Sequence, residues 1–185
     1  MILQHTREQL ELTVTSFEKL KHVSQIKEFI TQYHSIIHDL DRIYNMLKAE
    51  LRDASHLLSD INKDRKENVV LSYLTQSRNA KEHTIRPVTN VKPEAWTLSV
   101  NGPFAYIDHL EVRNGKIIKY KGSPADITIT GPEIELIPVS CRGSTYDVPL
   151  RTDATGLKMK PLELIDYGIF YYNDKILAIE NKPSA

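Results

Sequence analysis

Residues 1–86 contain neither glycine nor proline, although the 185-residue chain has seven glycines and nine prolines. All of these residues lie between Pro87 and Pro183. Glycine and proline are the residues that most often end helices and form turns. The first part therefore predicts uninterrupted helices, and the second predicts short strands separated by turns. Together they predict an α+β protein, in which an N-terminal up-and-down helical bundle precedes a small antiparallel β sandwich or partly open barrel.

Apolar periodicity supports the helical part of this prediction. Across residues 26–58, apolar side chains recur at alternating spacings of four and three, which is the pattern of one amphipathic helix face. A break in this long helix near Asp39 or Glu50 is an alternative. The stretch "SDINKDRKEN", residues 59–68, is interpreted as a polar break between helices. Another helix is expected to follow it and must end before Pro87.

After Trp96 the sequence consists mainly of short runs in which apolar and polar residues alternate, separated by turn residues. The stretch "HLEVRNGKIIKYKG", residues 109–122, consists of two alternating runs around Asn114 and Gly115, which is a strong hairpin pattern. The stretch "YGIFYYNDKILAIE", residues 167–180, is interpreted as a second hairpin that turns at Asn173 and Asp174.

These patterns predict a helical bundle at 1–86, a connector at 87–95 and an antiparallel β domain at 96–185. Lys plus Arg and Asp plus Glu both number 24, so the net charge is zero, which argues against broad affinity for duplex DNA or long RNA. The single cysteine, Cys141, allows no disulfide within the chain and is typical of a reducing compartment. The sequence has no leader pattern and no run of 18 apolar residues, so a cytoplasmic protein without membrane association is expected.

The end of the last predicted helix carries Arg78, Asn79 and His83 within six residues. Arginine offers a permanent cation and a planar fork of donors that suits phosphate. Histidine exchanges a proton near neutral pH. The pair is sufficient for phosphodiester cleavage without a metal ion or another cofactor. RNA would be the substrate, because its 2′-hydroxyl supplies the nucleophile.

Helix geometry affects how this pair would act. At about 100° per residue, Asn79 and His83 share a helix face, whereas Arg78 is offset from His83 by roughly 140°. One straight helix therefore does not aim Arg78 and His83 at the same phosphate. Two copies of the helix that meet across a dimer axis would, and local irregularity of the helix at Arg78 is the alternative.

The arrangement Arg-Asn-x-x-x-His resembles the Arg-x(4–6)-His signature of HEPN domains (higher eukaryotes and prokaryotes nucleotide-binding domains), over about residues 1–86. The resemblance implies an all-helical bundle that acts as a homodimer and as a metal-independent endoribonuclease in a toxin or defence system. It implies that Arg78 and His83 are the catalytic pair and that Asn79 is the polar residue after the arginine. RNA, including tRNA or rRNA, would be the substrate, and a cognate antitoxin or other protein would fit that context. The β-rich part is not covered by the resemblance.

Two alternatives remain open. The bundle would instead be a non-catalytic dimerisation or RNA-binding module, in which Arg78 pairs with Glu82 on a solvated helix end and the β domain binds a ligand or a protein. Separately, His34, His38 and Asp41 occupy positions i, i+4 and i+7 of one helix edge, a spacing that suits a metal site in a bundle. The interpretation of that edge as a charged helix flank is favoured.

Overall fold

The computed structural model describes residues 3–84, 87–153 and 155–181, with the side chains of 81–84 left out. This part of the chain is α+β, as predicted: helices occupy the N-terminal part, and short antiparallel strand pairs follow. The helices are α1 (Gln4–Leu20), α2 (Ile26–Glu50), α3 (Ser59–Glu67), α4 (Val69–Thr84) and α5 (Pro161–Glu180).

The long apolar stripe is interrupted after α2. Helix α2 ends at Glu50, which is one of the two breaks considered, and a 3-10 segment, Arg52–Leu58, leads into α3. The interpretation of "SDINKDRKEN" as a polar break was wrong, because residues 59–67 form α3. This helix buries only Ile61, so a short, mostly polar sequence becomes helical through one apolar anchor and its polar contacts to the bundle.

The predicted second hairpin, turning at Asn173 and Asp174, was also wrong, because residues 161–180 form helix α5. Pro161 lies at the first helical position, and Glu163 accepts a 2.8 Å hydrogen bond from the backbone N–H of Lys160. The buried residues follow a helical period rather than a period of two. They are Pro161, Leu164, Ile165, Gly168, Tyr172, Ile176 and Ile179.

Tyrosine hydroxyls attach α5 to α3 and to the residue that follows it. Tyr171 donates a 2.8 Å hydrogen bond to Asp64, and the Tyr172 hydroxyl accepts one of 2.7 Å from Arg65. The Tyr167 hydroxyl accepts a 2.7 Å hydrogen bond from the amide of Asn68. These contacts give the polar helix α3 a fixed place on the bundle.

The strands pair locally. They are β1 (Thr89–Lys92), β2 (Ala95–Val100), β3 (Ile107–Arg113), β4 (Lys116–Gly122), β5 (Ala125–Thr130), β6 (Glu133–Leu136), β7 (Val139–Cys141) and β8 (Ser144–Tyr146). In the described chain they form four two-stranded ladders, β1–β6, β2–β5, β3–β4 and β7–β8, and no closed barrel. The predicted hairpin at Asn114 and Gly115 is confirmed as β3–β4, and both turn residues have positive φ, 50° and 77°.

The chain divides into two compact units, Met1–Asn90 with Leu136–Ala185, and Val91–Glu135. We call them the helical unit and the inserted unit. The division differs from the predicted boundaries at 86 and 96, because α5 packs against α1, α2 and α4, and β7 packs against α4. The last part of the chain thus belongs with the first.

The core of the helical unit lies between α1, α2, α4 and α5 and includes Phe17, Leu47, Leu71 and Ile165. Cys141 on β7 is a buried free thiol. None of the helices in the described ranges is long and apolar enough to cross a membrane.

Candidate functional site

Helix α4 carries the predicted site residues, and Asn68 determines where it begins. The side-chain oxygen of Asn68 accepts hydrogen bonds from the backbone N–H groups of Val70, at 3.0 Å, and Leu71, at 3.1 Å. An asparagine in this position satisfies donors that have no partner inside the helix. Arg78 and Asn79 lie in the third turn, where both side chains are half-buried.

Arg78 is held by polar neighbours on two helices. Its Nη1 donates a 3.2 Å hydrogen bond to the side-chain oxygen of Asn79, and its Nε lies 3.5 Å from the Asp41 carboxylate on α2. The amide of Asn79 in turn donates to Gln76, at 3.4 Å. The Arg78 side chain stays 27% exposed, so its guanidinium is oriented by the protein while part of it faces solvent. Arg78 and Asn79 are therefore joined by a side-chain hydrogen bond.

The third predicted site residue, His83, lies on α4, but its side chain is outside the described residues. The same holds for Glu82, the predicted ion-pair partner of Arg78. Among the described side chains, Arg78 forms an ion pair with Asp41. An acidic partner from another helix, 37 positions earlier in the chain (78 − 41), is not visible in the local spacing around Arg78.

Asp41 is shared between two arginines. Its Oδ1 accepts a 2.7 Å hydrogen bond from Arg65 on α3, and its Oδ2 faces Arg78. Arg65 is 13% exposed and also donates to the Tyr172 hydroxyl. Burial lowers the pKa of Arg65, but Tyr172 and Asp41 raise it by more, so the pKa is raised overall and Arg65 stays charged. One carboxylate thus positions two guanidiniums.

The candidate metal ligands His34, His38 and Asp41 do not form a metal site in the described part of the chain. No group of three or more His, Cys, Asp or Glu side chains there is arranged to hold a metal ion. The Asp41 carboxylate is directed to Arg65 and Arg78.

Sequence reasoning missed Arg65 because residues 59–68 were interpreted as a break. The spacing of Asn62, Arg65 and Lys66, at i, i+3 and i+4, places them on one helix face and could have indicated a functional face. The link from Arg65 to Asp41 spans two helices and has no local sequence pattern.

No family model, curated protein or solved structure matches the chain.

Proposed function

We propose that the chain is a metal-independent endoribonuclease of the HEPN type that acts as a homodimer in the cytoplasm, in a toxin or defence context. One observation supports it most directly. Arg78 is oriented by Asn79 and Asp41 while its side chain remains 27% exposed. A cation that is already in place needs little reorganisation when negative charge develops on a phosphate.

In the proposed reaction, His83 removes the proton of a ribose 2′-hydroxyl, whose oxygen then forms a bond to the adjacent phosphorus. The bond from phosphorus to the 5′-oxygen breaks, and that oxygen takes up a proton from a protonated histidine. The products are a 2′,3′-cyclic phosphate and a free 5′-hydroxyl. Arg78 stabilises the charge on the non-bridging phosphate oxygens, and Asn79 helps to hold the guanidinium in place.

A homodimer is part of the proposal because of the helix geometry. Arg78 and His83 point about 140° apart on one straight helix, so one copy of α4 does not direct both at the same phosphate. Two copies that meet across a two-fold axis would supply Arg78 and His83 from different chains.

A non-catalytic RNA-binding module is the second candidate, and the ion pair between Arg78 and Asp41 favours it. A guanidinium that neutralises an internal carboxylate has less charge available for a phosphate. In that case Arg78 would stabilise the bundle, and RNA or another ligand would bind without being cut.

The test is cleavage of total RNA and of tRNA in EDTA by the wild-type chain, His83→Ala and His22→Ala. His22 is an exposed histidine after α1 and serves as the matched control. We expect the wild type and His22→Ala to cut equally, and His83→Ala to be about 100-fold slower or more. Equal cleavage by all three proteins would contradict the role of His83, and no cleavage by any of them would contradict the nuclease and favour the binding module.

A mixing experiment tests the composite site. Arg78→Ala and His83→Ala, each inactive alone, are mixed so that subunits exchange. A dimer containing one of each still has one arginine and one histidine that face each other, so partial recovery of cleavage is expected. No recovery, in a mixture in which exchange has been verified with labelled subunits, would contradict a site built from two chains.

A further inference from the structure

A groove in the helical unit carries positive charge and lies beside Arg78 and its neighbours Asn79 and Asp41. Its volume is about 560 Å³, within the range of ligand-binding clefts. Helices α2, α3 and α4 and strand β8 form its walls. The lining residues are Tyr44, Lys48, Asn62, Arg65, Lys66, Ser72, Thr75, Gln76 and Tyr146.

The described lining of this groove is positively charged, although the net charge of the chain is zero. Lys48, Arg65 and Lys66 line it, and no aspartate or glutamate is among its described lining residues. Lys48 and Lys66 are exposed, and neither forms an ion pair with a carboxylate in the described ranges. Two flexible ammonium groups with no such partner, above an anchored guanidinium, form a local site for anions.

Aromatic rings line the groove together with the cations. The Arg65 guanidinium lies 3.9 Å from the centre of the Tyr44 ring, and the Tyr44 hydroxyl donates a 2.8 Å hydrogen bond to Asn62. These contacts orient Tyr44 as part of a rigid wall. Tyr146 on β8 also lines the groove and is half-buried. Cations and aromatic rings in one groove are the combination by which proteins hold single-stranded nucleic acid.

The groove is connected to Arg78 by two routes. Gln76 lines the groove and accepts a hydrogen bond from Asn79, whose side-chain oxygen accepts one from Arg78. Arg65 lines the groove and shares the Asp41 carboxylate with Arg78. A strand bound in the groove would thus be close to Arg78.

We infer that this groove binds the phosphate backbone of single-stranded RNA, with phosphates at Lys48 and Lys66 and a base against Tyr146. The inference rests on the proposed function for the identity of the ligand as RNA, and it adds where the strand next to the cleaved phosphate lies. Arg65 keeps the groove wall in place through its bonds to Asp41 and Tyr172. Sequence specificity does not follow from such contacts, because backbone and stacking contacts tolerate every base.

The experiment measures binding of a fluorescent single-stranded RNA oligonucleotide in EDTA, by anisotropy, to His83→Ala protein, in which the strand stays uncut. The same measurement is made on two further variants of the His83→Ala protein. One carries Lys48→Ala and Lys66→Ala together, and the other carries Lys63→Ala alone. Lys63 lies on the same helix as Lys66, is 67% exposed and pairs with Glu67, but does not line the groove. It is therefore a matched control for the loss of a lysine.

We expect the double substitution to weaken binding by about tenfold or more, and Lys63→Ala to leave it nearly unchanged. Each phosphate contact contributes roughly 0.7 to the magnitude of the slope of log affinity against log salt concentration. The double variant loses two such contacts, so its slope should be smaller in magnitude by about 1.4. Equal affinity of the double variant and the Lys63→Ala control would overturn the inference. Complete displacement of the oligonucleotide by an equimolar mononucleotide would also overturn it, and would assign the groove to a free nucleotide.

The binding and cleavage experiments together distinguish failure of the groove proposal from failure of the nuclease proposal. Binding that depends on Lys48 and Lys66, in a wild-type chain that cuts no RNA, supports the groove and contradicts the proposed nuclease. Cleavage that depends on His83, with binding unaffected by the two lysines, supports the nuclease and contradicts the groove.

Discussion

Arg65 on α3 donates a 2.7 Å hydrogen bond to Asp41 on α2, and the two side chains are only 13% and 15% exposed. The pair joins two helices whose apolar contacts are few, because α3 buries only Ile61. The pair also holds Arg65 in the wall of the groove and Asp41 beside Arg78. A single carboxylate therefore matters both for stability and for the proposed site.

Asp41→Asn should destabilise the helical unit by about 3–5 kcal/mol, because it leaves the buried Arg65 without its counter-charge. Urea unfolding followed by circular dichroism measures this loss. Asp39→Asn is the matched control, since Asp39 lies on the same helix and is 17% exposed. Burial raises the pKa of Asp39, so its charge is not favourable and its removal should cost little. Similar losses for both variants would contradict the role given to the Asp41–Arg65 pair.

Asn68→Ala should destabilise the chain by about 1–2 kcal/mol, because two backbone N–H groups at the start of α4 lose their acceptor. Asn68→Asp keeps an oxygen acceptor for Val70 and Leu71 but cannot donate to the Tyr167 hydroxyl. We expect Asn68→Asp to retain most of the stability in a urea titration. If it loses as much as Asn68→Ala, the contact with Tyr167 and not the helix cap is what stabilises the chain.

Gly168→Ala should destabilise the chain, although alanine is the better helix former. An added Cβ would lie 2.9 Å from Leu40 Cδ1 and 3.1 Å from Leu74 Cδ1, closer than carbon atoms normally approach. Such overpacking costs about 1–3 kcal/mol. The check is a double-mutant cycle with Leu40→Val, which removes the δ-carbons. The cost of Gly168→Ala should shrink in that background, and an unchanged cost would mean that Leu40 is not the obstacle.

Stability at acid pH should depend on Glu50, which accepts hydrogen bonds from the backbone N–H groups of His5 and Thr6 at the start of α1. Burial raises the pKa of Glu50, but the Thr6 hydroxyl and these N–H groups lower it by more, so it lies below the ordinary 4.5. The folded chain thus binds this proton less readily than the unfolded chain. The contribution of Glu50 is complete above about pH 4.5 and is lost as the pH falls through the lowered pKa.

Glu50→Gln should therefore reduce the difference between the stabilities at pH 7 and pH 3.5, measured by urea unfolding at each pH. Glu11→Gln, an exposed carboxylate on α1, is the control and should leave that difference unchanged. A wild-type pH dependence in Glu50→Gln would contradict the linkage.

The parts of the fold that were predicted correctly depend on local chemistry. The absence of glycine and proline before Pro87 predicts helices because these residues are what interrupt them, and Asn114 with Gly115 predicts a turn because both tolerate positive φ. Helix α5 was missed because the run from Ile169 to Tyr172 is apolar on every side, so it fits either period. Pro161 followed by Glu163 was the local indication of a helix start.

The candidate site was predictable only in part, for a related reason. Arg78 and Asn79 are both named by the motif, but adjacent helical positions do not face each other, so their hydrogen bond was not predicted. Asp41 and Arg65 meet because α3 packs on α4 and α4 packs on α2, and no spacing within α2 or α3 indicates that pairing. Non-local pairs of this kind require the tertiary arrangement.

The return of α5 to the helical unit has a consequence for synthesis of the chain. Helices α1 to α4 leave the ribosome first, yet the residues that complete their core, including Leu164 and Ile165, are made only after the whole inserted unit. At about 5–20 residues per second, the nascent bundle waits several seconds for its last helix. During that interval Arg65, which lines the groove, lacks its hydrogen-bond partner Tyr172. An RNA-binding or RNA-cutting surface would therefore be completed only when synthesis has passed α5.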